Sequence, residues 1–124
     1  MPVRLRPADP ALAADALRRF REGASDNADL RLLTKHLLAL LALKAPGGAV
    51  EVRVPPYAVA QCVEGTRHTR GTPPAVVEMD AVTWIALAVG DLLWQDAEGD
   101  GRLSASGERS DLSRLLPVFD SGER

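Results

Sequence analysis

The side chains best suited to chemistry lie in one short loop, where Arg67, His68 and Arg70 follow one another closely. Two guanidinium groups between flanking glycines could bind a carboxylate or a phosphate through paired hydrogen bonds. The loop is therefore a candidate site for an anionic group. In the alternative interpretation, the arginines pair with nearby carboxylates such as Glu64 or Glu78 and only hold the loop in place.

The segment from Asp96 to Leu103 imitates part of a calcium-binding loop. Acidic residues stand at its first, third and fifth positions and a glycine at its sixth, as in an EF-hand. The glutamate required at the twelfth position is missing, because Gly107 stands there and Glu108 comes one residue late. We therefore interpret the segment as a turn between a helix and a strand, and we predict no calcium site.

The remaining reactive side chains form no recognisable catalytic or metal-binding pattern. A zinc site needs three or four ligands, and His36, His68 and Cys62 are too few and too scattered along the chain. Apolar neighbours raise the pKa of a thiol, so we expect Cys62 to be inert. The serines near residue 104 lack the G-x-S-x-G pattern of a nucleophile elbow. These observations predict a protein that is not an enzyme and uses no metal or cofactor.

Length and composition favour one soluble domain over residues 1–124, with residues 1–8 as a lead-in and 120–124 as a frayed tail. A net charge of −2 argues against a nucleic-acid partner, and no basic cluster indicates attraction to anionic membranes. The longest apolar run, Leu37 to Leu43, is far too short for a transmembrane segment. One cysteine and the lack of an apolar leader predict a cytoplasmic protein.

Helical periodicity and capping residues predict five helices. Asp9 and Pro10 begin the first, and Asp26 begins a leucine-rich second helix that is apolar around most of its circumference. A helix of that kind is buried on more than one side, so we expect it to lie centrally across a sheet. Asp80 and Asp91 are the predicted caps of the third and fourth helices. The predicted ranges are 11–21, 26–44, 81–89, 91–98 and 111–116.

Apolar runs predict four strands, at 50–54, 57–64, 75–79 and 102–106. In the first, Val50, Val52 and Val54 alternate with charged residues, which is typical of a half-buried strand. The second is apolar on both faces, so we expect it in the interior of the sheet. Residues 65–74 form a loop or a hairpin tip. Together these elements predict an α+β fold.

The order of these elements resembles the sterol carrier protein 2 family, and more closely its small, actinobacterial-type bacterial orthologues. Residues 50–119 carry the resemblance, and the sequence RHTRGTPP at 67–74 is its most specific part within the bacterial group. From Met79 to Leu115 the shared outline is a strand, an apolar helix, a short helix, a strand and a closing apolar helix. The long leucine helix and the loop at 65–74 differ from the eukaryotic members, so a sterol ligand does not carry over.

This resemblance implies a mainly antiparallel five-stranded sheet with helices packed on one face. It also implies an apolar tunnel between sheet and helices that takes fatty acyl chains, acyl-CoA or sterols. The apolar residues expected to line it are Trp84, Ile85, Leu87, Leu92, Trp94, Leu103, Leu115, Leu116, Val118 and Phe119. The two indole N–H groups need hydrogen-bond partners, which suits a pocket mouth. All of these side chains would equally fit a solid core.

We therefore predict non-enzymatic carriage of a lipid or another hydrophobic small molecule, with the C-terminal helix as a gate. Arg67, His68 and Arg70 would orient the head group of the ligand. The first alternative is an interaction module with a filled core, acting as a homodimer or as the partner of an enzyme. A void of several hundred cubic ångströms would favour a ligand site, and a void near zero would favour the interaction module.

A second alternative is an enzyme related to the mycothiol-dependent isomerases, to which similar modules are appended. The metal-binding helical bundle of those enzymes has no counterpart in this sequence, so this interpretation is disfavoured.

Overall fold

Helices cover one face of a four-stranded sheet in the computed structural model, which describes residues 4–65 and 75–118. Two helices precede the sheet along the chain, and two more lie between its third and fourth strands. The helices are α1 (Pro10–Arg21), α2 (Asn27–Lys44), α3 (Ala81–Ala88) and α4 (Trp94–Gly99). The strands are β1 (Val50–Val54), β2 (Ala58–Cys62), β3 (Ala75–Met79) and β4 (Leu103–Ser106). The predicted α+β class is confirmed. Most of the predicted loop at 65–74 and the predicted tail at 120–124 lie outside the described residues.

The sheet is mixed and has the strand order β2-β1-β3-β4. β1 pairs antiparallel with β2 and parallel with β3, while β3 pairs antiparallel with β4. Residues 4–65 and 75–118 therefore contain four strands, and the expectation of five is wrong for this part of the chain. The fifth strand was implied by the family resemblance alone, whereas the apolar pattern of the sequence predicts four.

β2 lies at an edge of the sheet among the described strands, so the interior position predicted for it is wrong. Val59 is 53% exposed, and Ala58 and Ala60 are only half-buried. The prediction failed because alanine contributes apolar sequence to both faces of the strand without requiring that either face be covered. Composition alone did not distinguish this edge strand from a central one.

Side-chain caps begin three helices where the sequence predicts them. Asp9 and Asp80 each accept a hydrogen bond from the backbone N–H three residues later, at 3.2 and 2.8 Å. Asp26 and Asp29 form a reciprocal capping box at the start of α2. As predicted, α2 is central, since it packs against α1, α3 and β2.

The last two helices differ from the prediction. α4 begins at Trp94, because the carboxylate of Asp91 caps no helix and pairs instead with the guanidinium of Arg21 in α1, at 2.9 and 3.0 Å. Residues 111–116 contain one 3-10 turn, Ser113–Leu115, in place of the predicted helix. Leu116 is already extended there, which is the backbone conformation that a following proline favours.

The core lies between the sheet and the helices. Val50, Val52 and Val54 of β1 and Val77 of β3 are fully buried on the side that the helices cover. The side chains that alternate with them are more exposed and include charged residues of β1. Leucine side chains of α2 complete the core from the helical side. One buried face and one open face explain the alternation that the sequence shows.

Candidate functional site

Three of the predicted tunnel residues lie in the closed centre of the molecule. Trp84 and Ile85 are 0% exposed and Leu87 is 1% exposed. A side chain with no accessible surface borders no space as large as a water molecule, internal space included. The indole N–H of Trp84 donates to the backbone oxygen of Thr34 in α2 at 3.3 Å, so its partner is in the core. Beside these three side chains, the described residues leave no room for a ligand.

The other predicted lining residues divide into a buried and a half-buried group. Trp94, at the start of α4, is 5% exposed, and Leu103 in β4 is also buried. The half-buried members pack against the core from its surface and are Leu92, Leu115, Leu116 and Val118. Phe119 lies outside the described residues. The half-buried group therefore marks the part of the apolar interior that is nearest to solvent.

Three of these half-buried residues belong to a stretch that we call the C-terminal segment, residues 111–118. Its Leu112 side chain is fully buried and anchors it to the core. The N–H of Val118 donates to the backbone oxygen of Ala88, at the end of α3, at 2.9 Å. One 3-10 turn is its only helical structure. Moving the end of this segment would break few hydrogen bonds with the rest of the described chain.

Lys44, the last residue of α2, holds the same segment from the other side. Its Nζ donates to the backbone oxygens of Leu115 and Pro117, at 2.9 and 3.2 Å. No local pattern predicts this contact, because the partners are 71 and 73 residues away along the chain and are backbone atoms. Lys44 is therefore a candidate site residue that the sequence did not predict.

The predicted head-group residues Arg67, His68 and Arg70 lie outside the described residues, together with the rest of the RHTRGTPP sequence. Just before them, the backbone oxygen of Glu64 accepts a hydrogen bond from Nη1 of Arg109 at 3.1 Å. A third guanidinium group that sequence reasoning did not single out therefore lies where this loop begins.

Two open clefts lie where the sheet is not covered by helices, with volumes of about 360 and 500 Å³. The clefts share Pro55 and Glu78, and the exposed Val59 borders the smaller one. Among the predicted lining residues that the structure describes, Leu103 alone borders either of these two clefts. The smaller cleft is therefore separate from the predicted lining residues, whereas the larger one reaches the buried core at Met79 and Leu103.

The candidate reactive groups of the described residues show neither a reactive thiol nor a metal-binding cluster. Burial raises the pKa of the Cys62 thiol to about 11, so the thiol is protonated and unreactive at neutral pH. Within residues 4–65 and 75–118, no three His, Cys, Asp or Glu side chains come together closely enough to hold a metal ion. Asp96 and Glu98 belong to α4, so half of the calcium-like stretch is helix and not a binding loop.

The matched range of a family model fits this architecture. A model described as bacterial SCP ortholog, where SCP denotes sterol carrier protein, matches residues 26–118. The chain belongs to this family. The resemblance predicted from the sequence is thereby confirmed. No curated protein matches the chain.

The family match runs from the capping box of α2 to the end of the C-terminal segment. It includes the sheet, α3, α4 and Lys44, whereas α1 precedes it. None of the helices in the described part of the chain combines the length and the apolar character needed to cross a membrane.

Proposed function

We propose that this chain is a non-enzymatic carrier of a fatty acid, an acyl-CoA or another hydrophobic small molecule, and that the ligand enters beneath the C-terminal segment. The observation that carries the proposal is family membership across the sheet, α2 and the C-terminal segment. The interior is closed between α3 and the sheet, so the ligand must displace protein side chains as it enters. Displacement costs the least free energy at the half-buried end of the C-terminal segment.

A comparison of free energies indicates which ligands could displace these side chains and bind. A chain that buries about ten methylene groups gains about 8 kcal/mol. Exposing the half-buried Leu115, Leu116 and Val118 costs roughly 2–5 kcal/mol, and association itself costs at least about 4 kcal/mol. These terms nearly cancel, so only ligands with longer chains have a net favourable free energy of binding.

The proposal includes the loop that lies outside the described residues. Arg67, His68 and Arg70 would contact an anionic head group. The support for this contact is their residue types, because guanidinium groups bind carboxylates and phosphates. A cytoplasmic location and the absence of catalysis are part of the same proposal. The inert thiol of Cys62 is consistent with it.

Chain-length dependence tests the proposal. Saturated fatty acids from octanoate to stearate would compete with a fluorescent fatty acid for the purified protein. We expect stearate and palmitate to displace the probe at micromolar concentrations and octanoate to fail, because only the longer chains offset the cost of opening. The absence of saturable probe binding, or equal affinities at every chain length, would overturn carriage. Native mass spectrometry of the protein as purified would report any lipid that it already holds.

A second candidate function is an interaction module with a filled core, and a specific observation favours it. Trp84, Ile85 and Leu87 have essentially no accessible surface, which is the outcome expected of a solid interior. This function requires no ligand. Sedimentation of the protein over a range of concentrations would test it, since a monomer at every concentration argues against a homodimer.

A further inference from the structure

Lys44 donates to uncharged partners at the proposed ligand entrance. Its Nζ donates to the backbone oxygens of Leu115 and Pro117, both of which are uncharged acceptors. No carboxylate of the described residues lies within ion-pair distance of Lys44. The contact is exposed to solvent, so an incoming ligand can reach the ammonium group.

The position of Lys44 couples α2 to the C-terminal segment. Lys44 is the last residue of α2, whose leucines form the helical side of the core. Its two bonds hold the segment near Leu116 and Val118, the half-buried residues that cover the apolar interior. The hydrogen-bond partner of the Lys44 Nζ therefore decides whether this end of the segment is held against α2.

An anion would compete well for that ammonium group. A carboxylate or phosphate adds the attraction of opposite charges to the charge-assisted hydrogen bond that the ammonium group already donates to a carbonyl oxygen. A ligand head group bearing such a charge would draw Nζ away from the two carbonyl oxygens. The same step would free the end of the C-terminal segment from α2, leave the Val118–Ala88 hydrogen bond as its link to α3, and place the acyl chain of the ligand beside the apolar surface under the segment.

We propose that Lys44 is a latch on the C-terminal segment and that the anionic head group of an amphiphile, a carboxylate or a phosphate, releases it. The proposal rests on carriage as the function of the protein. It adds that an anionic amphiphile binds in preference to a neutral lipid, and it names Lys44, beside the head-group residues of the proposed function, as a residue that contributes to this distinction.

The latch itself is tested without ligand. In Lys44→Met, a side chain of similar length loses its charge, and we expect the amide of Val118 to exchange with deuterium about two- to fivefold faster. Lys35→Met is the matched control, because Lys35 is an exposed lysine of the same helix, and it should leave the exchange unchanged. Equal exchange in Lys44→Met and in the unmodified protein would overturn the latch.

The head-group role is tested with palmitate and hexadecanol, which have the same chain length and differ in charge. Lys44→Met should weaken palmitate binding about two- to fivefold and leave hexadecanol binding unchanged or tighter, since the segment is already released. Lys44→Arg should retain the preference for the acid. Equal weakening of both ligands by Lys44→Met would mean that Lys44 only supports the fold, and would overturn the head-group role.

The two experiments separate failure of this inference from failure of carriage. If the unmodified protein binds neither palmitate nor hexadecanol, carriage is overturned and the head-group role falls with it. The exchange of the Val118 amide still decides the latch in that case, because it is measured on the protein alone. If both ligands bind and Lys44→Met changes neither affinity, carriage stands and the head-group role is overturned.

Discussion

His36 ties the start of the described chain to α2 through a contact that depends on its protonation state. Its Nδ1 accepts a hydrogen bond from the backbone N–H of Ala8 at 2.9 Å. An imidazolium has no free acceptor nitrogen, so this bond requires the neutral ring. Burial lowers the pKa of His36, which favours the same neutral form.

Stability should therefore fall as the pH falls below neutrality. The unfolded chain takes up a proton at His36 near pH 6.5, whereas the folded protein resists until a lower pH. The stability contributed by neutral His36 is complete above about pH 6.5 and is lost as the pH drops through the folded pKa. Urea unfolding measured at neutral pH and in mild acid should show this loss. This loss of stability should be smaller in His36→Phe and unchanged in His68→Gln. An unchanged loss in His36→Phe would contradict its assignment to His36.

Residue-scale predictions from the sequence were correct where the partner is close along the chain. The caps of Asp9, Asp26 and Asp80 were predicted because each bonds a backbone N–H three residues later. The contacts of His36 and Lys44 were not predicted, because their partners are 28 and 71 residues away. Which distant backbone atoms approach a side chain is decided by packing and not by local sequence.

At the scale of elements, the turn between α2 and β1 depends on one glycine. Gly47 has a φ of +143°, a backbone conformation that residues other than glycine rarely adopt. A Cβ there would overlap the carbonyl group of Val63. That carbonyl accepts a hydrogen bond from Ala49 at 2.9 Å, and the N–H of Val63 donates to Ala45 at 2.7 Å. The end of β2 is thereby held against this turn.

Gly47→Ala should lower the free energy of unfolding by about 2–4 kcal/mol, because the backbone must move or these hydrogen bonds must break. Gly48→Ala is a matched control. A Cβ at Gly48 would meet the Gln61 side chain at 3.5 Å, which is an ordinary contact, so its effect should stay within about 1 kcal/mol. Urea denaturation of both variants checks the difference, and equal losses would contradict this account of the turn.

Errors at this scale have physical causes. The four strands of the described residues followed correctly from the apolar runs of the sequence, and only the family resemblance suggested a fifth. The start of α4 was misplaced because Asp91, a good cap by residue type, is engaged by Arg21 of a distant helix. Residues 111–116 have a helical apolar spacing but form only one 3-10 turn, because Leu116 has the extended backbone that the following proline favours. Tertiary partners and a following proline overrode local preference.

At the scale of the whole molecule, the sequence could not distinguish a ligand-filled interior from a solid one. Both need the same apolar side chains at the same spacing. The structure brings Trp84, Ile85 and Leu87 together in a closed centre and leaves the C-terminal segment half-buried at its surface. Carriage therefore requires a second, more open conformation, whereas an interaction module requires none.

Quenching of tryptophan fluorescence separates these two possibilities, since the chain has only Trp84 and Trp94. Trp84 is at the centre and 0% exposed, whereas Trp94 begins α4 and is 5% exposed. In Trp94→Phe, where Trp84 is the sole reporter, a fatty acid brominated along its chain should quench most of the emission if the acyl chain enters between helices and sheet. The unbrominated acid of the same length should not. Binding without quenching of Trp84 would place the ligand on the surface, and would favour a protein whose core stays filled while other faces bind its partners.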